Sequence, residues 1–319
     1  MESQPIPFLV RFRSTGVLVV LIVLVAGAAL FTPQNTFIQE ANLKILLALG
    51  PEFGIIALGV GVLMVAGEFD LSVGSQLALG SLIFISLVGA GVDIFVAVLL
   101  TCLLGVAIGA LHGLVVVRAR IVSFIATLGF MLTWRGLTEI LTAGKVRSYD
   151  FGQHEAFVQV FTGQLGGVIP SQVIWFALFA VVLFLVLHRG RFGNWIYATG
   201  DNALAAHAMA IDTRLVKLVC FMIVGFLCAF SAVLQTARAS AVTTHAGTGW
   251  ELQAVAAAVV GGTSLRGGRG NVIGIFLVID NMIVQARLPY EWSYAAFGVV
   301  ILAAALLDLG IEKRIQRAT

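Results

Sequence analysis

The sequence predicts an all-α polytopic membrane protein of about ten transmembrane helices in two inverted repeats, some helices short or broken. Three observations predict it. The 319-residue chain is 60% hydrophobic and 11% charged, with a mean hydropathy of +1.03, whereas a soluble domain carries about 25% charged residues. Its apolar residues lie in long runs, among them 16–31, 54–66 and 94–117, close to the ~20 residues that a bilayer demands of a spanning helix. The third observation is an echo: Phe69-Asp70-Leu71 is matched by Trp250-Glu251-Leu252, with a glycine ten residues past each acid, Gly80 and Gly261. Period-2 alternation, the mark of a membrane barrel, is absent.

The spans follow in order as 16–32, 43–66, 71–89, 94–117, 121–142, 172–188, 215–236, 251–264, 271–286 and 294–309. The first follows Arg11 and Arg13 and reads as a retained helix, not a leader, because further spans run throughout. Span eight is the shortest, and broken helices are tolerated only where protein or a cavity surrounds them. In this topology spans three and eight run in opposite senses, the arrangement of inverted-repeat transporters. Residues 1–319 then form one membrane domain, with a first repeat over 43–142 and a second over 215–309. The 35 glycines suit close helix packing. Cys102, Cys220 and Cys228 lie in apolar runs without metal-site spacing and read as small hydrophobes.

Charge sets the orientation. With the N-terminus inside, 13 of the 19 basic residues fall on cytoplasmic segments, which predicts cytoplasmic termini at both ends. The net charge of +3 is mostly this inside bias, so nothing points to nucleic acid as a partner. The outer loop 143–171 carries Lys145, Arg147, Asp150 and Glu155 and is the largest exposed surface on that side. In the inner loop 189–214, Asp201 or Asn202 can cap a short helix over 203–210. Its apolar positions Leu204, Ala208 and Ile211 recur at helical spacing, so it suits either the membrane surface or a groove in a partner.

Catalytic chemistry finds little support. Residues 261–270, GGTSLRGGRG, lack the Lys-Ser/Thr ending of a phosphate loop, and the five histidines are scattered. No catalytic residue, metal site or cofactor is assigned to the chain. Polar groups inside the apolar runs are the better candidates for a pathway or gate: Asp70, Ser72 and Ser75 in the stretch GEFDLSVGS, Glu251, and the pair Asp280 and Asn281. Arg135 and Glu139, four apart beside Trp134, either neutralise each other or anchor the interface, and Glu52 after Pro51 reads as a helix start near the headgroups. Asp70 and Ser72 also suit the capping of span three, with Gly67 and Gly74 supplying turn freedom and close packing.

Three stretches, GEFDLSVGSQLALGS, TGDNALAAHAMAID and AGTGWELQAVAAAVVGGTSLRGGRGNVIG, resemble in order the permease subunits of bacterial ABC importers for monosaccharides of the ribose/xylose/galactose type. Glu68 stands where that family has glycine, Phe69 where it has an aliphatic residue, His207 often for arginine and Ala210 for glycine. The resemblance implies a permease of the bacterial inner membrane that pairs with a second permease copy. It also implies a periplasmic sugar-binding protein outside, and ATPase subunits inside that carry the ATP and magnesium. Asp201, Asn202, Leu204, Ala205, Ala208 and Ile211 become the coupling helix, and the charged outer loop the docking surface. Two readings compete: a branched-chain amino-acid-type permease, and a secondary transporter or channel acting alone.

Overall fold

The computed structural model describes residues 37–260 together with positions 26, 27, 30, 263, 267, 268, 298 and 299. The described helices are α1 (Glu40–Val65), α2 (Val73–Gly89), α3 (Ile94–Ala119), α4 (Ser123–Thr142), α5 (Glu155–Phe161), α6 (Ser171–Arg189), α7 (Arg191–Asp201), α8 (Ala203–Ala208), α9 (Thr213–Ala239) and α10 (Trp250–Val260). Four two-residue strands accompany them: β1 (Arg147–Ser148), β2 (Gln164–Leu165), β3 (Ile169–Pro170) and β4 (Ala241–Val242). Five helices, α1, α3, α4, α6 and α9, are long and apolar enough to cross a membrane, and α2 is apolar over 17 residues. They fall on the expected spans two to seven within a few residues, and α10 begins on span eight. The expected spans 16–32, 271–286 and 294–309 lie largely outside the described residues, as do Asp280 and Asn281.

Helix α9 is the centre of the bundle, packed along α3 and against α1 and α2. Its contact with α3 is made backbone to backbone. Gly105, Gly109 and Gly113 stand four apart on one face of α3, so that Gly105 meets Gly225, Gly109 meets Phe221 and Met222, and Gly113 meets Leu218. A Cβ on Gly105 would lie 3.0 Å from the Gly225 carbonyl carbon, and one on Gly225 equally close to that of Gly105. Lipid offers no hydrophobic drive for helices to associate, so such close approach supplies the attraction through dispersion. By contrast α4 and α6 are peripheral and turn large apolar side chains outward, Leu132 and Ile140 among them.

Two segments differ from the sequence expectation. The outer loop 143–171 is folded: Phe151 and Phe157 are buried and each packs against Phe84 of α2 at 5.7 Å between centroids, Phe151 stacked and Phe157 tilted. β1 pairs antiparallel with β4, Arg147 opposite Val242, tying the loop to the end of α9. The inner loop 189–214 holds two helices, because α7 precedes α8. Two glycines within 191–201 hide α7 from a propensity reading.

Candidate functional site

The polar break between α1 and α2 sits in the protein interior, where every backbone amide needs a partner. The structure supplies partners for five of them, those of residues 67, 68, 69, 71 and 72. Gly67 N–H and Glu68 N–H return to the carbonyls of Met64 and Leu63 at the end of α1. Phe69 N–H donates to Ser123 Oγ and Leu71 N–H to Thr127 Oγ1, both at 3.1 Å from the first turns of α4. Ser72 N–H donates to Asp70 Oδ1 at 2.8 Å. Thus α4 presents Ser123 and Thr127, one turn apart, as a template for the unwound stretch.

Asp70 does not cap α2, contrary to the sequence expectation: α2 begins at Val73 with Ser72 in the cap position and no side-chain cap bond. Fully buried at 0% exposure, Asp70 instead anchors a network. Its Oδ1 also accepts from the Ser72 hydroxyl, while Oδ2 receives Gln76 Nε2 at 3.0 Å and faces His112 Nδ1 at 3.2 Å. Trp134 Nε1, which can only donate, lies 2.9 Å from His112 Nε2. Nε2 is therefore the acceptor, and Nδ1 carries the proton toward Asp70. Phe130 stacks on the His112 ring at 4.1 Å. The result joins α2, α3 and α4 by a carboxylate, an imidazole and an indole in series. Gln76 Oε1 remains buried without a partner among the described residues, and Ser75 closes its hydroxyl onto the Ser72 carbonyl.

The second acid of the echoed triads comes to the same place. A Cβ on Gly74 would meet Glu251 Oε2 at 2.8 Å and the Gly247 carbonyl carbon at 3.0 Å, so the start of α10 rests directly on the start of α2. Glu251 Oε1 accepts from Gly249 N–H, and its Oε2 is buried without a partner among the described residues. Trp250 packs edge-on against Phe53 of α1. Among the described residues Arg135 forms no ion pair with Glu139; it donates to the carbonyls of Thr244 and Ala246, bracing the turn that leads into α10. Glu52 is also not at a helix start. α1 runs through Pro51, and Glu52, at 1% exposure, is held by Arg238 of α9 through a fork of 2.7 and 3.0 Å.

All three signature stretches converge at the other end of the break. Gly200, next to the end of α7, lies against the Val65 carbonyl, and a Cβ added there would stand 2.6 Å from Gly268 N. Gly268 N–H donates to Val65 O at 2.9 Å. Gly67, Gly267 and Gly268 all have left-handed backbones, with φ of 82°, 84° and 72°, a conformation that glycine alone adopts freely. Beside this knot Lys217 of α9 meets Glu68 at 2.5 Å.

From the knot the chain runs into α8. Asn202, not Asp201, is its cap, accepting from Leu204 N–H at 3.1 Å and Ala205 N–H at 3.0 Å, while Asp201 ends α7. α8 stops at Ala208, earlier than expected, because Ala210 turns left-handed at φ 62° and Ile211 N–H bonds back to Ala206 O. Ala206 is the packed residue; Leu204 is 86% exposed, and Ala205 and Ala208 are exposed with it. Ile211 lies beyond the helix and packs on the core. Outside, Lys145, Arg147, Asp150 and Glu155 are all exposed on the folded loop.

Sequence reasoning missed His112, Trp134, Gln76 and the Ser123/Thr127 template. The available signals were a histidine inside a 26-residue apolar helix and hydroxyl residues four apart at the start of the next.

A family model described as the permease component of branched-chain amino acid transport systems matches residues 42–305. The ribose import permease protein RbsC of Escherichia coli K12 is 34% identical over 298 residues, covering 91% of this chain and 92% of that protein. RbsC of Bacillus subtilis is 33% identical over 96% of both chains. The autoinducer 2 import system permease protein LsrC of Salmonella choleraesuis is 29% identical over 96% of this chain and 88% of its own length. No solved structure matches the chain.

Proposed function

The chain belongs to the family of branched-chain amino acid transport system permease components, and on that premise we propose that it forms the translocation pathway of an ABC importer for a monosaccharide. It is a multi-pass membrane protein and a permease component, not itself an enzyme. The observation that carries the reading is the convergence at the α1–α2 break, where residues 67–75, 199–201 and 267–268 meet through glycine backbones. A joint of this kind links the partner-facing helix α8 directly to the interior of the bundle. The sugar cargo is supported by the ribose import permeases at 32–34% identity. Autoinducer 2 is the second reading, supported by LsrC at 29%.

In this reading α8 seats Leu204 in a groove of an ATPase subunit, which holds the ATP and magnesium. A periplasmic binding protein docks on the folded loop 143–171, a second permease copy completes the pathway, and both termini are cytoplasmic. Contact between the starts of α2 and α10 supports two inverted repeats. Asp70, Ser72, Ser75 and Glu251 then lie at the gate between the halves, with Asp280 and Asn281 proposed from sequence alone.

The test is uptake in vesicles holding the permease with its ATPase and binding protein, offered labelled ribose or autoinducer 2. Leu204→Asp should abolish ATP-driven uptake while the protein inserts and melts normally. Uptake by the permease alone without ATP would overturn the importer reading, and uptake of neither cargo would overturn its substrate.

A further inference from the structure

A cavity of about 460 Å³ opens at the end of the bundle where α1, α3 and α9 meet their turns. Its charged lining is Glu68, Arg120, Arg214 and Lys217, and the rest is largely apolar, Val116 and Val122 included. Lys217 and Glu68 are paired with each other. Among the described residues neither Arg120 nor Arg214 forms an ion pair. The nearest carboxylate in sequence, Asp212, is already turned to the amides of Arg214 and Leu215, 3.1 Å each. The cavity therefore carries a net excess of two guanidinium groups. Its position is equally telling, since the exposed apolar residues Ile121 and Val122 belong to its lining, and the elements that form it carry further exposed ones nearby in sequence: Leu114 of α3, Ile125 of α4 and Leu215 of α9.

We propose that this cavity binds the phosphodiester headgroup of an anionic phospholipid, with the acyl chains lying along the apolar residues beside it. Guanidinium groups present paired donors that match a phosphate's oxygens, and they are less strongly hydrated than an ammonium. Basic pockets between spanning helices on the cytoplasmic side are suited to anionic headgroups, because that leaflet holds the anionic lipid. Cavities of a few hundred Å³ are of the size that takes a small polar head. A soluble phosphate would satisfy the arginines equally well but would leave the flanking apolar rim unused. The assignment of this end to the cytoplasm rests on the proposed topology; the binding itself does not.

Native mass spectrometry of the full-length chain, stripped of lipid in an uncharged detergent, tests the proposal. Phosphatidylglycerol is titrated against phosphatidylcholine, with sn-glycerol 3-phosphate as the soluble competitor. Phosphatidylglycerol should bind in preference, and Arg120→Gln with Arg214→Gln should weaken it about 30-fold, or ~1 kcal/mol per arginine. Arg118→Gln with Arg189→Gln removes equal charge from exposed positions outside the cavity and should leave binding intact. Unchanged affinity in the first pair overturns the site, and an equal loss in the second reduces it to general basicity. Displacement by glycerol phosphate at equal concentration overturns the lipid as occupant. The readout needs no transport, so a failure of the importer reading leaves it standing, and the reverse.

Discussion

Substituting alanine at Gly105 tests what holds α3 to α9. The added Cβ would stand 3.0 Å from the Gly225 carbonyl carbon and nearer still to its oxygen, whereas ordinary contact begins at 3.4 Å. The obstacle is backbone inside a helix and cannot rotate aside. The two helices must therefore part by at least 0.4 Å, the difference of those two distances, and by more to clear the oxygen. A gap of about 0.5–1 Å forfeits a quarter to a half of each contact's dispersion energy along the seam. Overpacking of this kind costs ~1–3 kcal/mol, and the upper end is expected because both surfaces are rigid. Gly225→Ala should cost as much, since its Cβ meets the Gly105 carbonyl in the same gap. Once the helices have parted for one methyl group the other fits, so the double variant should fall short of the sum by ~1–2 kcal/mol, within the range seen for touching residues. Gly129 of α4 has no heavy atom within 4 Å of its would-be Cβ. Gly129→Ala should be neutral or up to ~1 kcal/mol more stable through helix propensity. Reversible unfolding of the purified chain in detergent, followed by tryptophan fluorescence, measures all four. Strict additivity of the pair, or a Gly105→Ala as mild as Gly129→Ala, would refute the reasoning.

Two further substitutions probe the buried polar groups. Asp70→Asn places an amide NH₂ against donors whichever way it turns, because Ser72 approaches one oxygen and Gln76 and His112 the other. A loss of ~1–3 kcal/mol is expected from the unmet donors; unfolding within ~0.5 kcal/mol of the parent would argue that the Asp70 network does not hold the helices together. Arg238→Met strands Glu52 at 1% exposure, whereas Glu52→Gln leaves an Arg238 side chain that is 30% exposed and can reach water. The arginine variant should lose ~3–5 kcal/mol, the penalty for an uncompensated buried charge, and the glutamine variant clearly less. The opposite order in the same unfolding assay would contradict the geometry.

The long apolar helices were legible because hydrophobic run length speaks directly of the membrane, and their ends match within a few residues from α1 to α9. The glycine turn at 67 and the short helix after Asn202 were legible for local reasons, a left-handed backbone and a side-chain cap. What sequence spacing cannot carry is partnership across the fold. Asp70 looked like a cap because serine and glycine follow it, yet its partner His112 lies 42 positions away on another helix. Arg135 and Glu139, four apart beside Trp134, read as either a pair or an interfacial anchor, but Arg135 is drawn to carbonyls more than 100 residues on. Ala210 shows the converse. The expected glycine at that place has its reason in a φ of 62°, and the chain accepts alanine there at the strain of a left-handed residue, ~1 kcal/mol.

The Lys217–Glu68 bond also bears on how segments of this chain can be exchanged with those of relatives. Glu68 is a departure from the glycine of the resembling permeases, and its carboxylate answers a lysine 149 residues away. A chimera that imports a glycine at 68 together with the rest of that motif would leave Lys217 with Arg120 and Arg214 and no anion among the three charged groups that remain. Recombination points placed between the two residues therefore separate a matched set, and hybrids that move 68 and 217 together should express better than those that divide them.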